Sequence, residues 1–496
     1  MTADDRSSSF FDRYNDQAYL NGRLEAVIGA SSRPIVNPAT ETNLGSVAET
    51  PRATIDLSVR EANAAQRTWS TIDVNERTRI LHETSTKIRE NAELIARLIT
   101  LEMGKPLQES MEEVLAAAPV FGYFAEMARN DQGRIIGSGA SNQLHFVTME
   151  PMGVSVHIVP YNYPILLLAW GLAGSLAAGN AAIVKPSEFT TASTLCFVEK
   201  LACLPAGLLQ VVPGGAEVGR SLVGHQGTHV VAFTGSVSGG KAVASSCAAL
   251  FKRCTIEASG SDPFIVLPSA NLESAVDAAV VAGFANCGQV CTAAERFYVH
   301  EDLHDQFVEM LVQRTASLKI GPGLNGAQMG PLVSSTARER HERLIETAVK
   351  EGARIAYGAG RPAHHNKGWF VEPTVLTSCD VTMDLFRHEA FSPLAPIVKI
   401  RSFEEAIKFA NASEFGLGAT VFTEDLSEGL AASKFLNCGV VSVNSVATDS
   451  PAAPFGGRKL SGTGVQLGPQ GLDAYRVAKQ TMITHRALLD GGRQCI

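Results

Sequence analysis

The chain has 496 residues, 45% hydrophobic and 19% charged, a length that predicts two or three globular domains with a large buried core. Its 42 Lys and Arg against 50 Asp and Glu leave a net charge of −8, which argues against a binder of nucleic acid or anionic membrane needing a basic face. A mean hydropathy of +0.07 with 44 Gly and 22 Pro fits a turn-rich enzyme and excludes a disordered or fibrous chain.

The first 17 residues carry Asp4, Asp5, Asp12 and Asp16 without an apolar stretch, so they read as neither secretory signal nor transit peptide. A helix is expected over 73–101, capped by Asp73, with Leu81, Ile88, Ala92, Ile95 and Ile99 at helical spacing and Gly104 and Pro106 as its stop. Alternation in Leu144, Phe146, Thr148 and Met149 predicts a strand that cannot bury its edge alone. The most apolar run, 165–178, contains Trp170, Gly171 and Gly174 and falls short of the roughly 20 residues of a bilayer span, so it reads as a buried helix.

Apolar runs at 154–159, 181–184, 209–212, 230–233 and 253–257 alternate with helix-length segments starting near Ile165, Thr191, Gly215 and Val237. This alternation predicts a doubly wound parallel sheet, which binds ligands at the carboxyl ends of its strands. A second set follows Pro263, with strands expected at 264–267, 297–300, 396–400, 419–422 and 440–443, giving two α/β domains. Nine cysteines, an odd number without any C-x-x-C pair, fit a reducing, cytoplasmic setting and exclude a disulfide scaffold or Cys-cluster zinc site. His364-His365 reads as a solvated loop pair, and no metal site is expected.

Two glycine-rich stretches resemble phosphate loops. Gly321-Pro322-Gly323-Leu324-Asn325-Gly326 has the spacing of a dinucleotide fingerprint, but no helix starts after it, so an ordinary turn is expected. The segment from Gly235 to Lys241 lies between a strand and a helix, yet Ala242 stands where a P-loop needs Ser or Thr to hold magnesium. What survives is a helix N-terminus able to receive a phosphate without metal, or a plain tight turn.

Asn286-Cys287-Gly288-Gln289-Val290-Cys291-Thr292 is a polar segment set between an apolar helix and a strand. A cysteine there is either a reactive thiol or, as for most lone cysteines, an inert core residue. Gly288-Gln289-Val290-Cys291 is similar to the catalytic-cysteine motif of the aldehyde dehydrogenase superfamily, and further motifs follow that family's order. Pro160-Tyr161-Asn162-Tyr163-Pro164 resembles its P-W-N-F-P stretch, Lys185-Pro186-Ser187-Glu188 its adenosine-ribose motif, and Phe233-Thr234-Gly235-Ser236 with Gly240 its cofactor turn. Glu257 stands where E-L-G-G begins, Glu389-Ala390-Phe391-Ser392-Pro393 resembles E-I-F-G-P, and Pro454-Phe455-Gly456-Gly457 with Ser461-Gly462 resembles the C-terminal P-F-G-G…S-G. The match covers roughly residues 20 to 485.

The resemblance implies a mechanism. Cys291 attacks the aldehyde carbon as thiolate, with the Asn162 amide and the Cys291 N–H stabilising the oxyanion. Hydride passes to the nicotinamide, and Glu257 activates the water that hydrolyses the thioester. Pro160, Tyr161, Lys185, Ser187, Glu188, Gly215, Gly219, Phe233, Gly235, Ser236, Gly240, Glu389 and Phe391 are implied cofactor contacts, and Trp170, Thr292 and Phe455 pocket residues. A carboxylate at Glu188 accepting from both ribose hydroxyls repels a 2′-phosphate, so NAD is expected over NADP, although Lys185 can also meet a phosphate. Taken alone, Glu257 reads as a surface residue at a strand end and Asn162 as a turn former between two prolines.

The chain departs from the family at Tyr161 and Tyr163 (for Trp and Phe), at Ala258 and Ser259 (for Leu-Gly), and at Ala390 and Ser392 (for Ile and Gly). The last four cluster at the nicotinamide end, where Ser259 demands a backbone conformation that a Cβ tolerates. By resemblance the fold is a Rossmann-like parallel-sheet cofactor domain (1–133 and 154–256), an α/β catalytic domain (257–453) and a small β oligomerisation arm (134–153 and 470–486), forming a homodimer or homotetramer. Two rivals are weighed: a CoA-acylating relative, which needs no water-activating Glu257, and a non-catalytic protein retaining the fold, which need not keep Cys291, Asn162 and Glu257 together. Trp170 stands where some semialdehyde-oxidising relatives carry an arginine, and Asp449, in the loop before Pro454, either repels an anionic tail or faces solvent or caps a turn. Together they favour a short uncharged or hydroxylated aldehyde over a dicarboxylic semialdehyde, with a wider aromatic substrate left open.

Overall fold

The structure, a computed structural model, describes residues 10–28, 30–131, 133–137, 142–446 and 449–484. Asp4 and Asp5 of the N-terminal segment, Thr448, and residues 138–141 and 485–486 of the expected arm lie outside the described residues.

The first sheet runs in the order Gly462–Thr463, Arg253–Glu257, Val230–Thr234, Val154–Ile158, Ala181–Lys185, Leu209–Val211, Gln17–Leu20, Arg23–Ala26. The five middle strands are parallel, and four of them are buried along their whole length, which is why they read as largely apolar runs; Arg253–Glu257, beside the short edge strand Gly462–Thr463, begins exposed at Arg253. The chain winds outward from Val154–Ile158 in one direction, then returns to place Val230–Thr234 on its other side. The topological switch therefore lies between these two strands, where a doubly wound sheet opens a crevice at its carboxyl end.

The observed strands lie within two residues of those expected, except that the one expected at 297–300 begins three residues earlier, at Ala294. The expected single helix over 73–101 is instead two, Val74–Glu90 and Ala92–Met103, separated at Asn91 (φ −110°). Asp73 does cap the first, accepting from the Asn75 N–H at 2.9 Å. The sheet also gains an N-terminal hairpin, Gln17–Leu20 and Arg23–Ala26, absent from the expected elements although Asn21-Gly22 signals it: both residues take positive φ (47° and 87°) in the two-residue turn. Gly323–Asn325 is an isolated turn of 3₁₀ helix, and no helix begins again until Ser335.

The second sheet has the order Arg354–Tyr357, Thr374–Thr377, Leu394–Ile400, Ala294–His300, Asp262–Val266, Gly418–Phe422, Val440–Val443, parallel except at its first strand. A third sheet is antiparallel, with Gln143–Pro151 between Gly133–Ile136 and Arg476–Thr484. It leaves Ile135, Leu144, Met482 and Ile483 exposed. The buried helix Pro164–Ala178 packs against Leu107–Asn130.

Candidate active site

A cleft of about 360 Å³ opens where the carboxyl end of the first sheet meets the segments entering the second. The turn after Val154–Ile158 supplies Pro160, Tyr161 and Asn162; the end of Ala181–Lys185 supplies Lys185, Ser187 and Glu188; the end of Val230–Thr234 supplies Phe233, Gly235 and Ser236. The end of Arg253–Glu257 supplies Glu257, and Cys291, Glu389 and Phe391 come from the segments preceding Ala294–His300 and Leu394–Ile400. Residues as far apart in sequence as Ile158 and Phe391 thus share one cavity because two sheets end there.

Gly215, Gly219 and Gly240 do not line it. The Gly215 N–H donates to the Glu49 carboxylate at 2.9 Å. A Cβ at Gly240 would stand 2.8 Å from the Ile256 side chain, so that glycine lets helix Val237–Ala249 pack on its neighbouring strand. Ser236 caps this helix, accepting from the Gly239 N–H at 3.2 Å.

Around Cys291 the charges are buried. Glu257 accepts from the Thr234 hydroxyl at 3.2 Å through Oε2, while its Oε1 is buried without an N–H or O–H donor. Burial pushes the Glu257 carboxyl up to about 7. Burial, followed by the charge and hydrogen bond of Glu257, pushes the Cys291 thiol well above its ordinary range. The Asn162 amide spends one N–H on the Gln289 carbonyl at 3.0 Å. Gln289 in turn accepts from the Val333 N–H at 3.0 Å and from the Tyr161 hydroxyl at 3.4 Å, so Tyr161 keeps a donor in place of the usual indole.

The departures at 258–260 are explained by which glycine matters. Ser259 has no left-handed φ, whereas a Cβ at Gly260 would stand 2.1 Å from the Cys291 carbonyl oxygen. Gly260 permits that approach, and its N–H donates to Glu389 at 3.0 Å. Ser392 likewise takes an ordinary conformation, its hydroxyl 3.0 Å from His341 Nδ1.

Helix Leu107–Asn130 braces both catalytic segments. Glu109 accepts from the Asn286 N–H at 2.9 Å, and Glu113 accepts from the Ile165 N–H at 2.9 Å, just beyond Asn162. Lys105 pairs with Glu113 at 2.6 Å, both side chains fully buried, and its ammonium lies 3.5 Å from the Tyr163 ring centroid. Breaking such a buried pair at one end typically costs about 3–5 kcal/mol, because an uncompensated charge remains.

A second cavity, of about 700 Å³, is lined by Tyr163, Leu166 and Trp170, whose neighbours Asn162 and Leu167 line the first. Trp170 packs on Phe455 with ring centroids 4.7 Å apart, so Phe455 backs the wall rather than lining it. Thr292 lines neither cavity. The other walls include Glu109, Glu112, Glu113 and Asp449. Among the described residues no Lys, Arg or His joins that lining, and burial pushes Asp449 up to about 6.

The chain that brings this cysteine, asparagine and glutamate into one cleft is matched by known proteins. The family model described as the aldehyde dehydrogenase family matches residues 28–481. The chain belongs to the aldehyde dehydrogenase family. It is 36% identical over 475 residues to a 3,6-anhydro-alpha-L-galactose dehydrogenase of Streptomyces coelicolor, covering 94% of this chain and 96% of that one. It is 36% identical to betaine aldehyde dehydrogenase 1 of Oryza sativa, covering 90% and 91%. Among solved structures it resembles betaine aldehyde dehydrogenase of Staphylococcus aureus in complex with NAD+, at TM-score 0.94 and 31% identity, covering 99% of each chain. It also resembles an NADP-dependent enzyme of E. coli, at TM-score 0.93 and 33% identity, covering 96% of this chain and 99% of that one. This aldehyde dehydrogenase is therefore an oxidoreductase with the family's α/β fold that oxidises an aldehyde with NAD(P). Among the described residues no helix is long and apolar enough to cross a membrane.

Sequence reasoning missed several residues of this aldehyde dehydrogenase's cleft. Thr234, Gln289 and Ser259 lay inside quoted motifs without an assigned role. Arg340 lines the cleft from helix Ser335–Lys350, and Arg33 stands 3.9 Å from Glu188; nothing in their local sequence signals either.

Proposed function

We propose that the enzyme converts a short aldehyde with a cationic or hydroxylated tail to its carboxylate, with Cys291 as nucleophile, Asn162 as oxyanion donor and Glu257 as general base. The observation that carries the substrate class is the carboxylate-rich second cavity, with Asp449 close enough to raise both Cys291 and Glu257 electrostatically. A carboxylated tail would meet like charge there, while an ammonium would be drawn to it. The relatives' own substrates, anhydrogalactose in one and betaine aldehyde in another, differ too much to decide this. The test is kcat/KM for 3-aminopropanal, glycolaldehyde, propanal, benzaldehyde and succinic semialdehyde. We expect 3-aminopropanal or glycolaldehyde to exceed the semialdehyde by about tenfold or more, the scale of one unfavourable charge contact. A tenfold preference for the semialdehyde overturns the reading.

The cleft fits a nicotinamide dinucleotide. The capped N-terminus of helix Val237–Ala249 suits a pyrophosphate, and the buried Glu257 Oε1 lacks a donor that a water would supply. Bound there, the dinucleotide supplies the hydride acceptor. Cys291 as thiolate forms a bond to the aldehyde carbon, and the carbonyl oxygen takes the negative charge against the Asn162 amide and the Cys291 N–H. Loss of hydride from that carbon leaves a thioester on Cys291. Glu257 takes a proton from water as it attacks the thioester, releasing carboxylic acid and thiolate.

At the adenosine end, Lys185 donates to the Gly214 carbonyl at 2.7 Å and stands 3.8 Å from Glu188. Glu188 supports NAD over NADP by excluding a 2′-phosphate, while Arg33 and Lys185 flank it with positive charge that admits NADP as a poorer cofactor. Glu188→Gln is expected to narrow the NAD:NADP ratio of kcat/KM by about tenfold, read by parallel titration of both cofactors. Equal efficiency with both in wild type would defeat the argument.

The same reading divides the chain into a cofactor domain (1–133 and 154–256), a catalytic domain (257–453) and an arm (134–153 and 470–486). The arm's exposed Ile135 and Met482 support a homodimer or homotetramer in which a second copy covers them. The odd cysteine count supports a cytoplasmic location.

A further inference from the structure

Glu295 belongs to no motif used so far. It is the second residue of strand Ala294–His300, four positions after Cys291, and is buried. Its carboxylate accepts two backbone bonds from one loop, Oε2 from the Ala390 N–H at 2.8 Å and Oε1 from the Phe391 N–H at 2.7 Å. That loop carries Glu389 and Phe391 into the cofactor cleft. Its conformation is not one the chain adopts unaided, because Phe391 sits at φ 49°, a left-handed backbone that costs a bulky residue of order 1–3 kcal/mol. Something must over-determine it, and the bidentate carboxylate is placed to do so.

The surroundings tie the loop to the cleft on every side. Phe391 meets the Tyr161 ring edge-on at 6.0 Å between centroids. Glu389 accepts the Gly260 N–H through its side chain, and its carbonyl accepts from Arg340. A Cβ at Gly288 would stand 2.3 Å from the Ser392 backbone, so the cysteine segment and this loop are packed backbone to backbone. Glu295 reaches both the Ala390 and the Phe391 N–H, the two amides leading into the left-handed turn at Phe391.

We propose that Glu295 is a positioning residue that clamps the 389–391 loop, aligning Glu389 and Phe391 with the cofactor's nicotinamide-ribose end relative to Cys291. The clamp acts on cofactor placement and not on the thiol, so the two can be separated. Gln at 295 turns one acceptor into a donor facing a backbone N–H, which releases one of the two bonds without changing side-chain length. This inference rests on Cys291 being the nucleophile, and cofactor-free hydrolysis of 4-nitrophenyl acetate reads that premise alone, since an activated ester acylates a thiol without hydride transfer.

Wild type and Glu295→Gln would be compared by that ester hydrolysis, by NAD affinity in calorimetry, by aldehyde oxidation, and by amide exchange over 389–392. We expect ester hydrolysis within about threefold of wild type, NAD binding weakened about tenfold, and kcat/KM for oxidation lowered about a hundredfold or more, as for a misplaced reacting group. Exchange at Ala390 and Phe391 should rise while that of 286–291 stays the same. Equal loss of ester hydrolysis and oxidation would make Glu295 merely structural, and unchanged NAD binding and oxidation would remove its role altogether; either overturns the proposal. If the Gln variant does not fold, Glu295→Asp, which keeps the charge but is one methylene too short for both N–H groups, gives the same readouts. Loss of ester hydrolysis in the wild-type enzyme would instead count against Cys291 as nucleophile.

Discussion

Cys291→Ala is expected to lower aldehyde oxidation below about 1% of wild type while leaving NAD binding intact, because the thiol is the covalent partner and no other group replaces it. The cleft's shape survives the change, since Cys291 contributes only one side chain among walls drawn from both sheets. Cys287→Ser is the internal control. Cys287 is fully buried, lines neither cavity and is pushed upward by burial, so its thiol does not act on substrate. Serine there should cost some stability through a buried hydroxyl and leave most of the turnover. Retained oxidation in the Cys291 variant, or comparable loss in both, would sink the assignment.

How far this site was legible in the sequence depends on the distance over which each residue finds its partner. Cys291 and its Gly288-Gln289-Val290 neighbours form one turn, so a contiguous motif carries them. Pro160, Tyr161 and Asn162 sit at the end of strand Val154–Ile158, and the alternation of apolar runs predicted the doubly wound sheet and ligand binding at its carboxyl ends, whereas the switch point needed the strand order. Glu295 and Glu109 act on backbone N–H groups 96 and 177 residues away, and nothing local marks a glutamate that will accept such bonds. Arg33, on strand Ser32–Val36 of a separate two-stranded sheet with Asn43–Ala48, reaches a Glu188 far from it in sequence. The Asn21-Gly22 turn is legible from its residues, but the short strands it joins carry no long apolar run to mark them. At Ser259 the expected backbone, one that a Cβ tolerates, is what the structure has, and the close approach to Cys291 that needs a glycine occurs one residue later, at Gly260.

Glu257→Gln is expected to let the enzyme reduce about one NAD per active site in a rapid burst and then stall, with steady-state turnover down about a hundredfold or more, the usual scale of a lost general base. Gln keeps the size of the side chain and its contact with Thr234 but cannot accept a proton from water. It also removes the negative charge that holds the Cys291 thiol high, so thiolate formation becomes easier and the first half of the reaction is preserved. The wild-type pH dependence follows from the same group. Burial raises the carboxyl to about 7, so the base form is the minor species below that pH and thioester hydrolysis falls as pH drops through it. When hydrolysis limits turnover, kcat should therefore rise with pH up to about 7 and level off above, and the Gln variant should lose that limb. Rapid-quench or stopped-flow absorbance of reduced nicotinamide measures both at once. Absence of a burst together with loss of the first hydride step would place Glu257 earlier in the reaction, as the base that deprotonates Cys291. The geometry allows that order as well, because the same buried carboxylate hydrogen-bonds the thiol; what favours the later role is Oε1, buried without an N–H or O–H donor, where a water would sit.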